Sequence, residues 1–90
     1  MNKKQNKIII ENVLIAENRT IPGNDSRTFA VPNKEGGYSA FVLRPYVDGA
    51  WSDKYAVVGV WNSFNRFSIR NVSGTDYTWN IYCAVMYVPI

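Results

Sequence analysis

From Tyr77 to Val88 the chain alternates strictly, with Tyr77, Trp79, Ile81, Cys83, Val85 and Tyr87 at every second position. A repeat of two is the period of a β-strand, whose successive side chains leave opposite faces, and it does not fit the 3.6-residue period of an amphipathic helix. A strand of this length must lay its apolar side on another layer, so the rest of the chain has to supply partners. The other side of the same strand is polar early, at Thr78 and Asn80, and apolar later, at Ala84, Met86 and Val88. Its distal half therefore needs a cover of its own.

The partners are legible as further short runs between turn signals. Residues 8–15 are rich in β-branched side chains, which suit a pleated surface. The cluster Arg19 to Ser26, with Pro22-Gly23 and Asn24-Asp25, predicts a loop. A short strand follows over residues 27–31, and Lys34-Glu35-Gly36-Gly37 reads as a hairpin connection. Residues 38–47 are apolar on both faces except at Ser39 and Arg44, and Pro45 points to an edge or a bulge. Asp48-Gly49 marks a tight turn and Ala50 to Lys54 a loop. Residues 55–61 form a nearly all-apolar strand, in which Gly59 marks a bulge or a close backbone approach. Residues 64–72 place Phe67 and Ile69 opposite Arg66, Ser68 and Arg70, and Ser73 to Asp76 is the last turn. No window keeps a helical period for three turns. The expectation is an all-β fold: a small antiparallel β-sandwich, jelly-roll-like or barrel-like, of about six strands.

Ninety residues make one domain, expected over residues 8–90 behind a polar basic leader of residues 1–7. With 47% hydrophobic and 14% aromatic residues the chain can offset its ordering entropy by burial. The net charge of +3 is carried by Lys3, Lys4 and Lys7, which leave seven basic against seven acidic residues in the body. A basic folded face is therefore not indicated, and the leader, which carries all of the excess positive charge, is expected to be mobile or docked on another protein. The apolar run at Ile8-Ile9-Ile10 ends at Glu11, too short for a signal peptide or a membrane span.

Histidine is absent and Cys83 is the one cysteine. Zinc sites of the Cys/His type, imidazole-activated nucleophiles and an intrachain disulfide are excluded. The carboxylates fall in or beside turns or in the first strand, without the close spacing that acid–base pairs need. No enzyme, cofactor or metal site is expected; Cys83 reads as a buried structural thiol, and Asp25, Asp48, Asp53 and Asp76 as turn formers. Sugar recognition needs a planar apolar surface beside short polar groups. Trp51 with Asp48 and Asp53, and Trp61 with Asn62 and Asn65, are of that type, although core tryptophans explain the same residues. The interleaved aromatics and arginines of residues 61–70 are a weaker sign of nucleic-acid binding, because Phe67 and Ile69 face away from Arg66 and Arg70. Asn18, Asn24 and Asn71 each open a glycosylation tripeptide, read as chance in an Asn-rich chain.

The order Gly37-Tyr38, then Tyr55 to Val60, then Ile69-Arg70-Asn71, ending on Val85-Met86-Tyr87-Val88, resembles the small β-rich C-terminal domains of phage and prophage tail-fibre and minor structural proteins. The resemblance covers residues 36–90. It implies a β-sandwich in a virion made in the bacterial cytoplasm, commonly trimeric at a fibre tip, where it recognises a host-surface glycan or protein. A head fibre, decoration protein or short tail-tip subunit fits equally, and the leader lysines would then dock on another virion protein. A carbohydrate-binding module and a nucleic-acid-binding barrel stay as alternatives. A homo-oligomer, a trimer first, is also expected from the Ala84, Met86 and Val88 side of the last strand and the outer side of residues 38–47.

Overall fold

The computed structural model describes residues 7–90, so the leader expected over residues 1–7 lies, apart from Lys7, outside the described residues. Six antiparallel strands form two three-stranded sheets: β1 Ile9–Ile21, β2 Ser26–Ala30, β3 Tyr38–Asp48, β4 Tyr55–Trp61, β5 Arg66–Asn71 and β6 Tyr77–Pro89. Sheet A has the order β1-β6-β3 and sheet B the order β2-β5-β4. The first strand pairs with the last and the second with the fifth, the order of a chain folded in half and then rolled up, as in jelly-roll-like topologies.

The alternation read in the last strand holds along β6. Trp79, Ile81, Cys83, Val85 and Tyr87 are buried, and the even-numbered residues between them are half-buried on the outer face. Phe67 and Ile69 of β5 join the same buried cluster, with Ile21, Val31, Ala40 and Val47. Both sheets therefore contribute to one core. The sheets differ in length: β1 and β6 have 13 residues each, about 43 Å of strand. β2, β4 and β5 have five to seven. The molecule is accordingly long and thin, 57 × 21 × 15 Å. Its radius of gyration of 14.8 Å exceeds the roughly 12 Å of a globule of this length.

Three local expectations are corrected. The loop predicted from Arg19 begins only at Pro22, because two register shifts, between Leu14 and Ala16 and between Ala16 and Arg19, let β1 bend and stay paired through Arg19, Thr20 and Ile21. The segment Lys34 to Gly37 is not a hairpin connection. β2 and β3 lie in different sheets, so it crosses between layers. The strand expected from Phe64 starts at Arg66, since Asn62–Phe64 is a turn of 3-10 helix that ends on Asn65 at φ 54. Pro45 does sit on an edge strand, beside the bulge between Val42 and Arg44. Gly59 shows the expected bulge, after Val57, and its close neighbour is a side chain rather than a backbone: a Cβ there would collide with the indole of Trp61.

The end of the molecule that carries the β1–β2 and β5–β6 turns is held by Asn71, which is fully buried. Its amide nitrogen donates to the carbonyls of Ile21 at 2.8 Å and Thr75 at 2.7 Å, and its oxygen accepts from the Ser73 amide and hydroxyl. A side chain so committed is no glycan acceptor in the folded state. Asp25 and Asp76 likewise serve turns: Asp25 accepts from the Ser26 amide and Arg27, and Asp76 from the Gly23 amide at 2.9 Å. Gly23 lies backbone to backbone against Gly74, where any Cβ would collide.

Candidate functional site

Among the described residues four non-glycine residues have positive φ: Asn18, Asn24, Asn65 and Trp51. Asparagine tolerates that region because its short amide bonds locally, whereas a bulky aromatic there is strained. Trp51, at φ 58, is the exception. It opens the turn closed by the Lys54 amide donating to the Trp51 carbonyl at 3.0 Å. The residue is 61% exposed. The indole rests on Tyr77, with ring centroids 6.2 Å apart. Tyr77 in turn meets Trp79 at 5.9 Å, and Trp79 meets Tyr55 at 6.3 Å. Trp79 is fixed by its indole N–H, which donates to the Ala50 carbonyl at 2.8 Å. An aromatic ladder thus runs from the core to one exposed plane. Asp48 and Asp53 are exposed on either side of Trp51 in the chain, and neither forms an ion pair among the described residues. An exposed indole on a fixed base, with one carboxylate on its loop and another at the end of β3, is a surface on which a sugar ring can lie while its hydroxyls donate outward.

The second expected group divides. Asn62 turns its side-chain oxygen to the amide of Val42, at 2.8 Å, and so clasps the edge of β3. Asn65, in the amide orientation that satisfies both its ends, donates to the carbonyls of Asn62 and Ala40 at 3.1 Å each. Both residues hold the β4–β5 connection against sheet A. Together with Tyr38, Ser39, Phe41 and Ser63 they line an open cleft of about 450 Å³. Trp61 is not part of that cleft: it is paired with Arg66 on the outer face of sheet B, over Gly59. The Trp51 loop and the Asn62 connection lie at opposite ends of β4, whose seven residues span about 20 Å, so the six candidates do not form one site.

Sequence reasoning missed Tyr77 as the base under Trp51. It had assigned that residue to the core, and the signal was its place at the start of a strand, where the core ends. Cys83 has no exposed surface, and burial pushes its thiol up to about 11, which suits a packing role. No group of three metal-ligating side chains occurs among the described residues. Among known protein families, curated proteins and solved structures, none matches this chain.

Proposed function

We propose that this protein is a virion structural subunit of the fibre or decoration type, which assembles with copies of itself and presents the Trp51 turn to a surface glycan. The observation that carries the reading is the outer face of sheet A. Ile10, Met86 and Phe41 lie side by side across its three strands, and Leu14, Tyr82 and Tyr46 form another such row. Ile10 is 65% exposed, Leu14 44%, Phe41 39% and Leu43 48%. Large apolar side chains left exposed on adjacent strands of one sheet face are the mark of a surface that meets a partner. Three copies turning this face to a common axis would cover it. The resemblance to tail-fibre and minor structural domains supports the same assembly, and the leader lysines Lys3, Lys4 and Lys7 suit a contact with another virion protein. A second reading, a carbohydrate-binding module of a bacterial protein, draws on the strained and exposed Trp51 alone.

The test is binding of labelled protein to intact bacteria and to their purified surface polysaccharides. The virion reading expects an oligomer whose binding falls with Trp51→Ala and falls further, through lost avidity, in a monomeric variant. A monomer that still binds sugar through Trp51 favours the module. A monomer that binds no surface contradicts both.

A further inference from the structure

The outer face of sheet B differs in kind from that of sheet A. Along β5, Phe67 and Ile69 turn inward, which leaves Arg66 and Arg70 outward; Ser68, between them on the same side, is buried. The strand register builds three rows on this side. Arg66 lies between Ala30 and Trp61, Ser68 between Thr28 and Gly59, and Arg70 between Ser26 and Ala56. Two guanidinium-bearing positions about 13 Å apart thus bracket a row of small and hydroxyl-bearing residues. In that row the hydroxyls of Thr28 and Ser68 are bonded at 2.7 Å.

Trp61 completes the face. Since Gly59 has no side chain, the indole folds over it and lies along the sheet, with Trp61 44% exposed. Neither Arg66 nor Arg70 forms an ion pair among the described residues. The nearby acid is Asp25, and it is already engaged: Arg27 bonds it at 2.6 Å. That bond, then the Ser26 amide, holds the Asp25 carboxyl below the usual range, with the charge of Arg70 adding a little. The body of the chain is neutral, yet this face carries two uncommitted cations and no carboxylate of its own.

We propose that the outer face of sheet B binds an acidic polysaccharide, with a sugar ring on the Trp61 indole and successive carboxylate or phosphate groups on Arg66 and Arg70. The proposal rests on the reading of the chain as a surface-attachment subunit and names the ligand class. Guanidinium forks match both anions. A nucleic acid fits less well, since single strands are held by successive stacking planes and this face offers one, Phe67 being in the core.

Titration calorimetry with polygalacturonate, hyaluronate and glycerol-phosphate teichoic polymer tests it, beside neutral galactan and an oligothymidylate. The expected result is binding to at least one acidic polymer that weakens with salt. Arg66→Gln, Arg70→Gln and Trp61→Ala should each weaken it about tenfold with the fold retained by circular dichroism. Binding to none of the three polymers overturns the proposal. So does equal binding of galactan, tighter binding of the oligothymidylate, or arginine variants that bind like the unaltered protein. Loss of bacterial binding with Trp51→Ala alone, the arginine variants being unaffected, would overturn this proposal and leave the attachment reading standing. Arginine-dependent polymer binding by a protein that adheres to no bacterium would do the reverse.

Discussion

The two outer faces of this molecule obey the same alternation and end in opposite chemistry. On sheet A the outward positions of β6 are Tyr82, Ala84, Met86 and Val88, flanked by Ile10, Leu14 and Phe41. On sheet B the outward positions of β5 are Arg66, Ser68 and Arg70, flanked by Ser26 and Thr28. Both sheets contribute inward residues to one core, sheet B chiefly through Phe67 and Ile69. The inward positions therefore specify the fold, and the outward positions specify what the fold meets. Apart from the exposed Trp61 indole, the sheet B face is polar or small and is content in water. On sheet A, Arg44 lies over Tyr46 at 5.1 Å and Tyr46 stacks on Tyr82 at 5.4 Å, so its main outward cation is spread over aromatic surface. This is the face that the proposed self-association would cover.

Breaking the comparison on its apolar side should have the largest effect. Met86→Asp places a charge in the middle of the sheet A face and should weaken self-association on the order of 100-fold, seen by sedimentation, while the circular dichroism spectrum stays that of the unaltered protein. Arg70→Gln, the matching change on sheet B, should leave the oligomer as it was and shift stability by under about 0.5 kcal/mol. Equal effects of the two changes would erase the distinction.

The contact of Gly59 with Trp61 sharpens it at smaller scale. Gly59→Ala forces the indole off the sheet and should cost about 1 to 3 kcal/mol in urea unfolding. In the Trp61→Ala background the same change should cost much less, a coupling that a double-mutant cycle reads directly. Smaller still is the effect at the strained turn. Trp51→Gly removes an aromatic from positive φ and should leave stability unchanged or raised by up to about 1 kcal/mol, while glycan binding is lost. A large loss of stability there would return Trp51 to a structural role.

The smallest signal is chemical. The Cys83 thiol titrates near 11 in the folded chain, above its ordinary value of 9.0, because burial disfavours the thiolate. Below pH 9 both folded and unfolded forms are protonated and the group has no effect on stability. As pH rises from 9 through 11 the unfolded chain ionises first, and the stability this thiol supports is lost. At pH 8 a thiol reagent should modify Cys83 only as fast as the molecule unfolds, which hydrogen exchange of the β6 amides can confirm.

The period of two made the inner face of β6 readable, because a one-residue slip would have put Trp79 and Ile81 in water. It also made readable the inward turn of Phe67 and Ile69, while β4, from Tyr55 to Trp61, was legible as an unbroken apolar run between turn signals. Strand pairing was not readable. Residues 34–37 look like a hairpin turn locally, and only the pairing of β3 with β6 across the chain shows that they bridge two sheets. The candidate site was half legible. Exposed aromatics on turns could be picked out at Trp51, but the base beneath it, Tyr77, is 26 positions away and arrives only with the fold. Trp61 and Asn62 are neighbours in sequence that the chain sends to different surfaces, one over Gly59 and the other onto the edge of β3.

The central claim is that the outer face of sheet A is an interface between copies of this chain. Sedimentation velocity over a dilution series into the low micromolar range addresses it most directly. The account predicts a species heavier than one protomer, a trimer first, that persists on dilution and is lost in Met86→Asp but not in Arg70→Gln. A clean monomer at tens of micromolar, unchanged by either substitution, would contradict it.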